Sequence, residues 1–325
     1  MSTAGPAPLR VLLLGASGTI GRATARALAA RGHAVVGLAR RPQQLPAIAG
    51  CSWRQADLAT PAALDGLDLA AQRFDAVVSC LASRNGAPDD AWAIDHRAHQ
   101  RVLRAAQQAG ISRWLQLSAI CVQKPLLAFQ HAKLAFEAEL QASGLQWTIV
   151  RPTAFFKSLS GQVQRVKDGK PFLVFGDGRL TACKPIADED LADYLATQLV
   201  APASTGRVLP IGGPGPAITP RDQAEMLFGL LGRPLHIRSV PPALMGAICG
   251  GLGAAARIVP GLRAKAEFAR IGRYYASESM LVWDAAAGRY DAEATPSIGT
   301  RTLADHYAAL LRGEAQHERG EHAVF

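Results

Sequence analysis

Residues 10–21 read Arg10-Val11-Leu12-Leu13-Leu14-Gly15-Ala16-Ser17-Gly18-Thr19-Ile20-Gly21, and this stretch decides the fold. An unbroken aliphatic run suits a strand buried on both faces. Glycines at every third position follow at once, and then the alanine-rich run Arg22-Ala23-Thr24-Ala25-Arg26-Ala27-Leu28-Ala29-Ala30, a good helix former. The spacing predicts a strand over 10–14, a tight turn, and a helix over 20–31 closed by Gly32. Glycines allow the turn and a close approach of the backbone, so that a pyrophosphate can rest on the helix N-terminus. Gly15, Ala16, Ser17, Gly18, Thr19, Ile20 and Gly21 are therefore candidate cofactor-binding residues.

Working outward, the alternation continues. Strands are expected over 34–38, 52–55, 74–79, 113–117 and 146–150, with helices over 91–109 and 128–143. Strands and helices in this rhythm imply parallel crossovers, hence an α/β fold with a Rossmann-type doubly wound parallel sheet. After Arg151-Pro152 the rhythm breaks into short strands (172–175, 208–211) and helices (188–200, 220–231). These read as a smaller C-terminal substrate lobe folded over the strand C-termini, where ligands of such sheets bind. The expected divisions are a flexible N-terminus (1–9), an NADP-binding Rossmann domain (10–155), a substrate lobe interleaved with the sheet (156–312) and a flexible polar tail (313–325).

Composition narrows the function. The 325 residues are 49% hydrophobic and 19% charged, too apolar for a disordered chain. The net charge of +9 is spread along the sequence rather than gathered in a run, and no nucleic-acid-binding signature accompanies it, so nucleic acid is not expected as a partner. Cys51, Cys80, Cys121, Cys183 and Cys249 are odd in number and irregularly spaced, which suggests neither a disulfide framework nor a metal site. A reducing, cytoplasmic compartment fits, and no signal peptide is read at the N-terminus. The most apolar later stretch, 241–256, is interrupted by glycines and falls short of the ~20 residues a membrane span needs.

The second strand ends in Gly37-Leu38-Ala39-Arg40-Arg41, with cations where an NAD site usually places an acid. Arginines there can grip a 2′-phosphate through charge-assisted hydrogen bonds, so NADPH is the expected cofactor, with Arg40 and Arg41 as its selectors. Leu81, Ala82 and Ser83, beyond the fourth strand, should run past the nicotinamide side.

The G-x-x-G-x-x-G turn resembles that of the short-chain dehydrogenases. The resemblance implies that Asp57 contacts the adenine, that Ser118 stands at the family's serine and that Lys133 stands at its ribose-holding lysine. The tyrosine of the family's Tyr-x-x-x-Lys is Phe129, which has no proton to give, so ordinary carbonyl reduction is disfavoured. The chain is then either a non-catalytic NADP-binding regulator or complex-assembly scaffold, or a reductase of conjugated carbon–carbon double bonds, as in the atypical isoflavone-reductase-like and NmrA-like branch.

Longer runs narrow this. Leu117-Ser118-Ala119-Ile120-Cys121-Val122-Gln123-Lys124-Pro125, Phe129-Gln130-His131-Ala132-Lys133, Arg151-Pro152-Thr153-Ala154-Phe155-Phe156-Lys157 and Arg273-Tyr274-Tyr275-Ala276-Ser277-Glu278-Ser279-Met280 resemble the NADPH-dependent divinyl chlorophyllide a 8-vinyl-reductases. The resemblance spans about residues 10–311. It implies hydride transfer to the 8-vinyl group of a divinyl chlorophyllide or protochlorophyllide, giving 8-ethyl, in chlorophyll or bacteriochlorophyll biosynthesis. It further implies a magnesium chlorin or porphyrin as small-molecule substrate, with Cys121 on its side; Phe155 and Phe156 follow the sixth strand and read equally as lining of its slot or as plain core. Lys133 would hold the ribose and help deliver the proton, with Ser118 and His131 nearby. His131 has a second reading as an axial ligand to the pigment's magnesium, and no resident metal is expected.

Leu244, Ile248 and Leu252 form one apolar stripe, followed by Arg257, Arg263, Lys265, Arg270 and Arg273. The first reading is a helix covering the substrate slot. The second is a foot on an anionic membrane, peripheral to photosynthetic membranes.

Overall fold

Five stretches rich in valine, leucine and isoleucine come first in a parallel sheet: β1 (Arg10–Leu14), β2 (Ala34–Ala39), β4 (Ala76–Ser79), β5 (Arg113–Leu117) and β6 (Gln146–Pro152). The less apolar β3 (Cys51–Gln55) closes one edge and β8 (Arg207–Ile211) the other, giving the order β3-β2-β1-β4-β5-β6-β8. The order reverses between β1 and β4, the crevice where sheets of this kind bind ligands. The computed structural model describes residues 7–64 and 66–314.

Helix α1 (Thr19–Ala30) covers one face of the sheet, while α2 (His99–Gln108) and α3 (Ala128–Gln141) cover the other. Helix α4 (Asp188–Val200) lies beside α1, and its Leu191, Leu195 and Leu199 share the core of Leu13, Leu28 and Val78. On the opposite face Leu12, Val77 and Ile149 meet Val102, Trp114 and Phe136. Burying a leucine-sized side chain in such a layer contributes about 1.5–3 kcal/mol.

The chain leaves the sheet after β6 to build a second, smaller core. The parallel pair β7 (Phe172–Phe175) and β9 (Ile237–Val240) belongs to it, with α5 (Pro220–Leu230) and α8 (Leu303–Arg312). Phe156, Phe172, Leu227, Phe228 and Tyr307 fill this core. Helices α6 (Pro242–Ile258) and α7 (Arg263–Ser277) pack on each other as a hairpin, and β10 (Val282–Asp284) with β11 (Arg289–Asp291) forms an antiparallel ribbon.

The expected strand 208–211 does not belong to the smaller lobe. It is β8, paired in parallel with β6 from Thr148↔Arg207 to Pro152↔Ile211. Local patterning marks a strand but not the sheet it joins, and here the chain returns to the first sheet after an excursion. The helix expected over 91–109 is a turn, Pro88–Ala91, a π-helical segment, Trp92–Ala98, and then α2. Of the termini expected to be flexible, residues 1–6 and 315–325 lie outside the described residues. Leu9 N–H donates to Nδ1 of buried His33 at 3.1 Å.

Candidate active site

The glycine turn forms a cradle that permits no side chain at Gly15 or Gly21. Gly15 has φ +72°, and a Cβ there would lie 2.6 Å from the Leu81 nitrogen. At Gly21 a Cβ would fall on the Gly15 carbonyl oxygen. The turn therefore presses against the start of the 81–83 segment, and the N-terminus of α1 is left with backbone N–H groups pointing outward. Gly18 caps α1 without a side-chain hydrogen bond and no acid sits in the first turn, so the helix dipole is open to an anion. Arg22 Nη1 donates to the Ser17 carbonyl at 2.9 Å and braces the turn.

The second wall of the cradle follows from β2 and β3. Gly37 lies under the Trp53 ring, whose carbons leave no room for a Cβ. Arg40 and Arg41 are exposed just past the strand end. Asp57, also exposed, accepts from the Ala59 N–H at 3.1 Å, which shapes the loop after β3. These donors and cations fit a 2′-phosphorylated dinucleotide: backbone N–H groups for the pyrophosphate and guanidinium groups for the extra phosphate.

Past β4 the site is set by buried polar groups. His99 is fully buried, and desolvation lowers its pKa to about 4, so its ring is neutral near pH 7. Its Nδ1 faces the Ile94 carbonyl at 2.8 Å and must carry the proton. Nε2 is then an acceptor, and the Ser79 hydroxyl donates to it at 2.7 Å. Ser79 Oγ in turn accepts from Leu81 N–H at 3.3 Å, which positions the 81–83 segment expected beside the nicotinamide.

The strongest feature missed in the sequence is Asp95. It is 1% exposed, and its Oδ1 receives both Lys133 Nζ at 2.9 Å and Ser83 N–H at 3.2 Å. One carboxylate oxygen thus ties α3 to the loop after β4. Its Oδ2 and the Ser118 Oγ are buried atoms without a hydrogen-bond partner among the described residues. An unpaired buried polar group costs about 1–3 kcal/mol, so each of these atoms suits a polar group of a ligand. The signal was present: Ala91, Asp95, Ala98 and Val102 share one buried helical face, and an acid there has no structural reason to stand among apolar residues. The π-helical turn that carries it is a feature found often at functional sites.

Helix α3 places Phe129 and Lys133 one turn apart on its inner face, both buried. His131 is exposed. Two residues along a helix turn the side chain by about 200°, so His131 does not join Lys133 at the site as expected. Of the two readings of Phe156 the structure shows the core one: it is buried in the small-lobe core with its ring centroid 5.4 Å from that of His306. Phe155, its neighbour on extended backbone, points the other way and stays half-buried at the sheet's end. Cys121 is buried in the apolar cluster with Phe129, Ile271 and Tyr274.

That cluster depends on α7 from the far end of the chain. Glu267 Oε1 accepts from the Ala128 N–H at 2.9 Å, placing a carboxylate at the positive end of α3. Arg270 donates to the Leu126 carbonyl at 3.0 Å, and Tyr274 donates its hydroxyl to the carbonyls of Cys121 (2.9 Å) and Lys124 (3.2 Å). Ile271 reaches the Phe129 ring across Gly86. Beside it an apolar recess of about 420 Å³ is lined by Asn85, Ala87, Leu252, Phe268 and Ala269, among others. No group of three or more potential ligands that could hold a metal occurs among the described residues.

With this geometry established, likeness to known proteins narrows the chemistry. Residues 15–202 match the NAD(P)H-binding family model. The chain is 47% identical to the chloroplastic divinyl chlorophyllide a 8-vinyl-reductase of Oryza sativa subsp. indica, across 98% of this chain and 83% of that protein. It is 45% identical to the enzyme of the same name from Arabidopsis thaliana, across 97% of this chain and 80% of that one. Among solved structures, UDP-glucuronic acid 4-epimerase of Bacillus cereus, in complex with UDP-glucuronic acid and NAD, superposes with a TM-score of 0.66 over 94% of this chain and 98% of its own, at 17% identity. That likeness confirms the Rossmann-type fold alone.

Proposed function

The chain belongs to the divinyl chlorophyllide a 8-vinyl-reductases, and from that membership we infer that it is an NADPH-dependent oxidoreductase reducing the 8-vinyl group of a divinyl chlorophyllide-type pigment to ethyl. The observation that carries this is the match along nearly the whole chain, including the α7 segment that closes the site. NADPH, when bound, supplies the hydride. The residues around it have assignable tasks, which are our proposal. Backbone N–H groups of Gly15 to Gly21 hold the pyrophosphate, Arg40 and Arg41 the 2′-phosphate, and Asp57 the adenine side. Leu81, Ala82 and Ser83 flank the nicotinamide, and Lys133 with Ser118 holds its ribose.

Phe129 is coherent with this chemistry. Hydride added at the terminal vinyl carbon leaves negative charge spread over the macrocycle, so no oxyanion forms beside α3 and none needs a tyrosine there. The ammonium of Lys133, fixed by Asp95, instead keeps a positive charge close to where negative charge develops. Half-buried Phe155 and the recess beside Gly86 offer apolar surface to a planar pigment, whereas Cys121, 2% exposed, is packed inside the cluster of Phe129.

The α6–α7 hairpin adds a second proposed contact, with anionic lipid. Leu252 of α6 lines the recess beside Gly86 with Phe268 and Ala269 of α7, while only Cys249 and Ala256 of α6 are buried. Leu244 (50%), Ile248 (41%) and Ile258 (84%) stay exposed with Arg257, Arg263 and Lys265 alongside. Apolar side chains flanked by cations suit the headgroup region of a membrane. Among the described residues no helix is long and apolar enough to cross one.

Anaerobic incubation with 3,8-divinyl chlorophyllide a tests the reaction. The product gains two hydrogens with NADPH and forms weakly or not at all with NADH. NADPH binding without product would return the chain to the regulator or scaffold reading.

A further inference from the structure

We propose that Lys265 holds the free propionate carboxylate of the pigment, so that the recess beside Gly86 takes the acid in preference to its ester. The assignment rests on the reductase reading above and names the form of substrate that the site selects.

The lining of the recess comes first. Its volume is about 420 Å³, and Ala87, Leu252, Phe268 and Ala269 give it apolar walls. Lys265 is the one lining residue that carries a charge. An apolar slot with a single cation suits a ligand that has an apolar body and one ionised acid. Chlorophyllide-type pigments have that make-up: a flat macrocycle and one propionate left unesterified.

The charge of Lys265 is also unspent. Lys133 Nζ is held by Asp95 at 2.9 Å, Lys124 by Glu278 at 2.6 Å, and Arg270 by Glu267 at 3.1 Å and the Leu126 carbonyl at 3.0 Å. Lys265 is exposed and has no hydrogen-bond or ion-pair partner among the described residues. Nearby carboxylates are taken as well. Glu267 accepts from the Ala128 N–H and Arg270, and Asp90 Oδ2 accepts from the Arg84 N–H at 2.9 Å.

Placement decides which substituent of the pigment this ammonium meets. Ile271 and Phe129 come together at Gly86, next to the lining residues Asn85 and Ala87. Lys265 precedes Ile271 by six residues on α7, about 9 Å along the helix axis. Glu267, two residues after Lys265, meets the first N–H of α3 at Ala128, whereas Lys133 lies about 7 Å further into that helix. Lys133 is 8% exposed and Lys265 is open to solvent, so the two ammonium groups mark the inner and outer ends of one cleft.

The pigment has the matching geometry. The vinyl group to be reduced and the free propionate stand on opposite pyrrole rings. A pigment with its vinyl carbons at the nicotinamide, beside Lys133, sends its propionate outward across the full width of the macrocycle. Lys265 is the cation of the recess on that side. An esterified pigment keeps the apolar contacts and forfeits the ion pair.

The full-length protein with NADP⁺ tests this, through its affinity for 3,8-divinyl chlorophyllide a and for the methyl ester of that pigment's propionate. Quenching of pigment fluorescence reads both, in neutral detergent without lipid, so that no headgroup competes for Lys265. Wild type should bind the acid about three- to tenfold more tightly than the ester, the size of an ion pair partly shielded from water. Added salt should shrink that ratio. Lys265→Met should remove most of it by weakening the acid alone, Lys265→Glu should invert it, and Lys265→Arg should keep it. Melting temperatures should match wild type, because the side chain has no partner to lose. Equal affinity of wild type for acid and ester, or an equal loss of both in Lys265→Met, overturns the assignment. If wild type shows the expected ratio but NADPH leaves the vinyl group intact, the reductase reading fails while the carboxylate contact stands. Binding of neither pigment overturns both.

Discussion

The two sides of the cleft are built by different means. The nucleotide side is made of backbone: residues 15–21 are contiguous, and their shape is fixed by where a Cβ cannot go. The opposite side is made of side chains from distant parts of the chain, with Asp95 meeting Lys133, and Cys121, Phe129, Ile271 and Tyr274 gathered in one cluster. The cradle tolerates no added Cβ at Gly15 or Gly21. A side-chain wall is more sensitive to removal, because its members are charged or hydrogen-bonded partners of one another.

Removing the charge of Lys133 should have the largest effect. Lys133→Ala leaves Asp95 buried and unpaired, at a cost of about 3–5 kcal/mol in a denaturant titration. Adding Asp95→Asn should restore most of that stability while NADPH affinity stays low. Full turnover and unchanged NADPH affinity in Lys133→Ala would refute the ribose-holding role.

Acid should weaken the same wall through His99. Its folded pKa of about 4 lies below the unfolded value near 6.5, so the unfolded chain binds the extra proton between them. The His99 contribution is present in full above about pH 6.5 and declines as pH falls toward 4, by about 3 kcal/mol in all. Unfolding free energies measured at pH 7 and pH 5 should differ less in His99→Gln than in wild type.

On the nucleotide side a single methyl group should suffice. Gly21→Ala drives a Cβ into the Gly15 carbonyl and should cost about 1–3 kcal/mol of stability, with loss of NADPH binding. Unlike the Lys133 variant it has no partner whose substitution could rescue it; rescue by a second-site change would show the cradle to be more pliable than its geometry implies. Replacing Arg40 and Arg41 together by alanine should reduce the preference for NADPH over NADH about ten- to hundredfold, measured as a ratio of Kd values.

The smallest effect is expected outside the cleft. Leu244→Ser and Ile248→Ser should change stability by less than about 0.5 kcal/mol, because both side chains are already exposed. They should nevertheless weaken flotation with phosphatidylglycerol vesicles. Unchanged flotation would remove the proposed lipid contact and leave the cleft comparison intact.

Sequence by itself determined what is local. The aliphatic run at Val11 to Leu14, the glycines at 15, 18 and 21 and the missing acid before Arg40 belong to one βαβ unit, where residues near in sequence are near in space. The absence of a tyrosine at Phe129 was likewise visible from one motif. Tertiary structure alone decided the rest. It placed β8 in the large sheet, turned Phe156 into the small core and His131 to solvent, and brought Asp95 to Lys133. It also set the Tyr274 hydroxyl on the Cys121 carbonyl, 153 positions away in the chain. Periodicity reports which face of an element is apolar, but not which other element will cover it. That pairing is settled only when the whole chain finds partners for its buried charges and apolar surfaces together.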